Sequence, residues 1–280
     1  MKEFSAEFID TAEGRLLLVG WPAQSGRLGQ VDESDARSAA IMVPPFAEEM
    51  NKSRRFMANL ARRLQAGGIS TFMLDLYGTG DSEGDLSEAK WDIWLSNLDA
   101  LESWMLSHHY VPTCLIGIRL GCLLGAHWVT ERNLILQKTV FCQPVRNGQQ
   151  TLTQFLRIRI AAQMSAGGAK ESVKTLIEQL DTGKSLFVAG YNFGSCLARE
   201  LNGLKLEPHV TQGLGKLSWL EVGSEDGDLA PASKSLIARI TAKGLPVTSR
   251  FVQGEPFWSA TEIVEDPMVV TALAEEVLKS

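Results

Sequence analysis

The sequence predicts an α/β fold on a mostly parallel, doubly wound sheet, and three observations carry that expectation. Short apolar runs alternate with helical segments between residues 39 and 142, in the order strand, helix, strand, helix, strand, helix, strand. Such an order argues for parallel strands with helices on both faces. The run Cys114-Leu115-Ile116-Gly117-Ile118 turns at Arg119 and becomes helical at once, with Gly117 and Gly121 flanking the turn. Glycine belongs there because the bend is strained and the helix packs close to the sheet. A chain of 280 residues, 45% hydrophobic and 21% charged, is long enough for one large core.

The elements follow in order. Residues 4–10 and 14–22 read as a strand pair around Glu13-Gly14, and 23–36 as a polar loop. Ala39 to Val43 is a short buried strand ending on Pro44-Pro45. After Phe46-Ala47-Glu48-Glu49-Met50-Asn51-Lys52 comes a helix whose Met57, Leu60, Ala61 and Leu64 share one face; Gly67-Gly68 ends it. Ile69 to Leu74 is the next strand, followed by the loop Asp75–Gly84 and a helix carrying Trp91, Trp94, Leu95, Leu98, Leu101 and Met105. The turn at Arg119, its helix and the strand Thr139–Cys142 come next.

The alternation then breaks. Residues 147–164 and 171–180 read as helices and Leu186–Tyr191 as a short strand, so about 145–212 is expected to be an inserted lid. Residues 1–144 and 213–280 form the core, with later strands at Leu217–Val222 and Val247–Val252 and a last helix through Val270, Leu273 and Val277. In open α/β sheets the ligand crevice lies at the carboxyl ends of the strands. Those ends carry the candidate residues Phe46, Glu48, Glu49, Tyr77, Arg119, Asp226, Glu255 and Trp258, with Trp91 nearby.

The frame Gly117-x-Arg119-x-Gly121 is that of the α/β-hydrolase nucleophile elbow, with arginine where a serine hydrolase has its nucleophile. Asp75–Gly84 resembles the superfamily's Asp-x-x-Gly-x-Gly-x-Ser loop, and Gly223-Ser224-Glu225-Asp226 resembles the position that supplies the triad acid. A more specific set is Pro44-Pro45-Phe46-Ala47-Glu48-Glu49-Met50-Asn51-Lys52, Asp75-Leu76-Tyr77-Gly78, Trp91-x-x-Trp94, Gly117-x-Arg119-Leu120-Gly121 and Gly254-Glu255-Pro256-Phe257-Trp258. That set is similar to a hydrolase-like family associated with the exosortase system of Gram-negative bacteria. The resemblance implies a cytoplasmic protein whose setting is surface-protein sorting and exopolysaccharide production, and it supplies no substrate.

Arg119 cannot attack a carbonyl, because guanidinium stays protonated. Two readings remain: a structural arginine paired with a carboxylate, which is preferred, or an anion locus at a helix N-terminus. Burial demands a counter-charge, and Glu48, Glu49, Asp226 and Glu255 are the candidates by position. The loop after the last strand holds Pro256-Phe257-Trp258 and no histidine. His108 and His109 fall at a helix end, His127 inside the helix after the elbow, and His209 in the loop leaving the insertion. Asp226 reads as a turn residue, since no histidine follows for it to orient. Ser195 and Cys196 mimic an elbow within the insertion, and Gly78-Thr79-Gly80 falls short of a dinucleotide loop.

The net charge of −6 argues against a general nucleic-acid binder, and no apolar run reaches membrane-spanning length. The four cysteines lack metal or redox spacing, so reduced thiols, no metal and no cofactor are expected. Two functions fit. One is a hydrolase or acyltransferase with altered machinery, acting on an ester, thioester or lipid-linked substrate. The other is a pseudo-hydrolase that binds a small acyl or anionic ligand or a partner protein. The sequence sets no oligomeric state.

Overall fold

The computed structural model describes residues 4–23, 36–167, 171–223, 225 and 227–279. The loop expected at 23–36 lies almost wholly outside the described residues, and Asp226 lies outside them too. β1 (Ser5–Asp10) and β2 (Arg15–Trp21) form an antiparallel pair. They are followed by β3 (Arg37–Val43), α1 (Glu48–Ala66), β4 (Ser70–Leu74), α2 (Trp91–Ser107), β5 (Tyr110–Ile118), α3 (Leu120–Glu131) and β6 (Lys138–Cys142). Between β6 and the next sheet strand lie α4 (Gly148–Ser165), α5 (Val173–Asp181), the hairpin β7 (Leu186–Val188) and β8 (Tyr191–Phe193), and α6 (Ser195–Gly203). β9 (Lys216–Gly223), α7 (Pro231–Ala242), β10 (Val247–Gln253) and α8 (Pro267–Leu278) complete the chain.

The main sheet has eight strands in the order β1-β2-β4-β3-β5-β6-β9-β10. From β4 to β10 every pairing is parallel, and β2 joins β4 antiparallel. Among the described residues, 145–212 add no strand to it, and β7 and β8 pair only with each other.

Helices cover both faces because the central strands are apolar on both sides. In β3, Ala39, Ile41 and Val43 join one core cluster with Trp94, Leu98 and Leu123, while Ala40 and Met42 join the other with Phe56, Leu60 and Leu273. That alternation is the period of a strand. Phe56, fully buried and stacked at 3.6 Å on Phe257, contributes about 1.5–3 kcal/mol by burial.

Three local expectations change. α1 begins at Glu48 rather than after Lys52, since Ala47 at φ 47°, ψ −116° turns the chain into the helix and two acids fill its first turn. Carboxylates suit that end of the helix dipole. β5 begins at Tyr110 rather than Cys114. Pro112 has no N–H to give the ladder, and the register with β3 shifts between Ala39 and Ala40. The strand expected at Leu186–Tyr191 is a hairpin instead. Ala189 and Gly190 both take positive φ, the backbone of a two-residue type I′ turn.

Candidate active site at the strand-to-helix turn

β5 delivers Arg119 to the carboxyl edge of the sheet. Its backbone, at φ 55°, ψ −117°, lies in a region a non-glycine residue rarely occupies. Two hydrogen bonds hold it there: Arg119 N–H donates to the Cys142 carbonyl at 3.0 Å, and Cys122 N–H donates to the Arg119 carbonyl at 3.2 Å. Both flanking glycines are required. A Cβ on Gly117 would come within 2.6 Å of Cys122 Cα, and one on Gly121 within 2.2 Å of the Val43 carbonyl oxygen. The first turn of α3 therefore rests on the end of β3, next to the loop that starts α1.

That contact brings two helix N-termini together and sets the charge pairing. Arg119 is only 4% exposed. Its Nε lies 3.2 and 3.3 Å from the Glu49 carboxylate oxygens, and Nη2 donates to Glu49 Oε1 at 2.9 Å. Nη2 also donates to Gln154 Oε1 of α4 at 2.7 Å, and Nη1 to the Gln143 carbonyl at 3.3 Å. Gln143 itself has φ 48°, which aims that carbonyl, while its side chain accepts from Val222 N–H at 2.7 Å. The Trp258 ring lies over the guanidinium, 5.2 Å from its carbon, within cation–π range. Among the described residues, Glu49 is the partner of the carboxylates that position suggests.

Above this pair opens a cavity of about 260 Å³. Phe46, Phe155, Ile158 and Trp258 give it apolar walls, and Glu48, Lys52 and Ser259 stand around it. Thr151, buried at 4% exposure, lines it with a hydroxyl that has no hydrogen-bond partner.

The other groups near the turn are unsuited to attack. Burial raises the Cys122 thiol well above its ordinary pKa and pushes Cys142 up to about 12, so neither offers a thiolate. Ser259 Oγ donates to the Pro256 carbonyl at 3.3 Å. His209 stacks on His127 at 3.9 Å, and His127 lies about 12 Å along the axis of α3 from Arg119 at 1.5 Å per residue. His108 and His109 form the turn between α2 and β5, at the end of β5 opposite to Arg119. Among the described residues no cluster of three or more metal-competent side chains occurs, and no helix is long and apolar enough to cross a membrane.

A family model described as serine aminopeptidase, S33 (Hydrolase_4) matches residues 46–185 of the 280-residue chain. The chain belongs to this S33 family of α/β-hydrolases. Solved structures agree on the fold. The S33-family chain is similar to Est1E from Butyrivibrio proteoclasticus with bound ferulic acid, at 15% identity, 98% coverage of each chain and TM-score 0.67. It is similar to a highly thermostable carboxyl esterase from Bacillus coagulans in complex with glycerol, at 10% identity, coverage of 99% and 97%, and TM-score 0.63. A thioesterase domain from the curacin biosynthetic pathway aligns at 13% identity, coverage of 99% and 100%, and TM-score 0.56. Among curated proteins none matches the sequence.

Within this S33-family chain, Phe46, Glu48, Glu49, Arg119 and Trp258 meet at one cavity, as their positions at strand ends suggest. Three candidates fall elsewhere. Tyr77 packs on Gly84, where a Cβ would meet its ring at 2.2 Å, and its hydroxyl donates to Glu88 at 3.3 Å; it closes its own loop. Trp91 is buried, with Nε1 donating to His127 Nδ1 at 2.8 Å, and so ties α2 to α3. Glu255 is exposed, and its backbone N–H is held by Asp266 at 3.0 Å. The Asp75–Gly84 loop is clamped by the buried Asp75 carboxylate, which accepts from Arg54 at 2.7 Å and from Asp81 N–H at 2.9 Å.

Sequence reasoning missed Lys52, Thr151, Gln154, Phe155, Ile158 and Ser259. Four of these carried a signal: 151, 154, 155 and 158 stand at i, i+3, i+4 and i+7, one stripe of α4.

Proposed function

We propose that this chain keeps the crevice of an α/β-hydrolase but not its serine chemistry, and that it serves as a small-molecule binding protein. One observation carries the reading: the nucleophile position holds a buried guanidinium spent on Glu49, Gln154 and Gln143. Acyl transfer needs a nucleophile with a base in hydrogen-bond reach, and here the loop after the last strand sets the Trp258 ring over the Arg119 guanidinium. The resemblance to the exosortase-associated family supports a cytoplasmic role beside surface-polymer export, with residues 145–212 acting as a lid whose helix α4 roofs the ligand.

The anion-locus reading of Arg119 loses ground, because its charge is neutralised by Glu49 and its donors are largely used. Fluorophosphonate labelling of the purified protein, with hydrolysis of a short aryl ester measured in parallel, tests the proposal. No labelled serine and no turnover above the uncatalysed rate are expected. A stoichiometrically labelled serine with inhibitor-sensitive turnover would overturn it.

A further inference from the structure

The polar groups left unmatched around the cavity define what it takes. Gln154 spends its carbonyl oxygen on Arg119, which turns its amide N–H groups away from that bond. The Thr151 hydroxyl is buried and unpartnered. Lys52 lines the cavity, and among the described residues no carboxylate lies within ion-pair reach of it. These are hydrogen-bond donors, and one is a full positive charge. Against them stands one unmatched acceptor, the Glu48 carboxylate. The walls are aromatic and aliphatic: Phe46, Phe155, Ile158 and Trp258. The volume of about 260 Å³ is below the roughly 300–1,000 Å³ of pockets for drug-sized ligands.

We propose that the cavity binds a small monocarboxylate with a flat or short apolar body. Its oxygens sit among Thr151, Gln154 and Lys52, and its body lies against Phe155 and Trp258. The inference rests on the non-hydrolytic reading above and gives it a ligand class. The charge balance supports an acid over an amine. The Arg119–Glu49 pair is closed on itself, so Lys52 supplies the attraction and Glu48 the opposition. A buried hydroxyl without a partner is costly, and a ligand oxygen would remove that cost. A carboxylate without Lys52 would instead face Glu48 alone.

The test is calorimetric titration of the whole protein with benzoate, benzamide and benzylamine at neutral pH. Benzoate is expected to bind at one site per chain, with benzamide at least several-fold weaker and benzylamine silent. Lys52→Met should weaken benzoate about tenfold, Glu48→Gln should tighten it several-fold, and Thr151→Val should weaken it less than Lys52→Met. Thermal unfolding of each variant confirms the fold. Because Lys52 and Glu48 stand at the rim, their replacements keep the core intact. No benzoate binding, equal binding of benzamide, or benzoate affinity unchanged in both rim variants would overturn the proposal. The two failures are separable: a labelled serine with benzoate bound defeats only the non-hydrolytic reading, whereas an unlabelled protein that ignores benzoate defeats only this one.

Discussion

Two turns in this molecule share one backbone and differ in all else. Ala47, between β3 and α1, has φ 47°, ψ −116°; Arg119, between β5 and α3, has φ 55°, ψ −117°. Each ends a segment running off a parallel strand and starts a helix. Each occupies a region that costs a non-glycine residue of order 1–3 kcal/mol. Ala47 places a methyl group in the core, fully buried. Arg119 places a guanidinium there and recruits Glu49, from the first turn of Ala47's own helix, to balance it. The sheet's topology sets the bend, while the side chain alone sets what the bend does. A family motif read as a frame therefore reports fold, and the residue in its centre has to be read separately.

Removing the counter-charge should separate the two turns most. Glu49→Ala should destabilise by about 3–5 kcal/mol, because it leaves a buried guanidinium unpaired. Replacing both partners, as Glu49→Leu with Arg119→Met, should recover much of that loss. Urea denaturation of the two single variants and the double variant, read as a double-mutant cycle, checks it; strict additivity would show that the pair is not coupled.

Glycine at each turn sharpens the contrast. Ala47→Gly relieves strain but loses a buried methyl, worth about 0.8 kcal/mol, and gains chain entropy when unfolded, so stability should move by less than about 1 kcal/mol. Arg119→Gly relieves the same strain yet strands Glu49, and should cost clearly more. Equal effects would mean the ion pair adds nothing to the turn.

Arg119→Ser puts a hydroxyl at the turn, and on the non-hydrolytic proposal no base stands beside it. Its turnover of a short acyl ester should stay at background, far below the 1–10³ per second of ordinary enzymes, and its Tm should fall. Members of a catalytic unit act together, so one alone gains little.

The two ends of α3 also contrast in pH response. Guanidinium stays protonated, whereas burial lowers both His127 and His209, and the neighbouring His127 lowers His209 further, to about 4. Glu131, 3.2 Å from His127 Nε2, opposes the shift, and Arg132 adds to it. The unfolded chain takes up these protons near 6.5, the folded chain only below that, His209 at about 4. The neutral pair's stability is thus fully present above about 6.5 and lost as pH falls toward 4. Tm measured from pH 7.5 to 5 should fall more steeply in wild type than in His209→Leu; parallel curves would refute the assignment. The smallest effect belongs to Lys243→Ala. Glu207 keeps Arg239 at 2.9 Å when Lys243 is gone, and exposed pairs contribute little, so Tm should not move resolvably.

Much of this was legible in the residues. The parallel sheet showed in the alternation of apolar runs with helical segments, and the charge problem showed in one arginine between two glycines. The start of α1 did not show, because no capping residue marks it; Ala47 enters the helix by backbone strain, which leaves no trace in composition. Placing the helix late hid Lys52, which stands at i+3 from Glu49. Tyr77 and Trp91 were drawn to the crevice by proximity along the chain. A ring's direction depends on packing partners such as Gly84 and His127, which one sequence does not announce.

The hydrogen-bonded arginine–glutamate pair also has a historical consequence. From the present sequence, a change at Arg119 alone strands a carboxylate, and a change at Glu49 alone strands a guanidinium. On the non-hydrolytic proposal, each single step toward a serine at this turn is therefore expected to pass through a less stable protein with no gain in activity. On that proposal the pair works as a ratchet: with both members in place, a binding cavity above them is more readily elaborated than a serine is gained below.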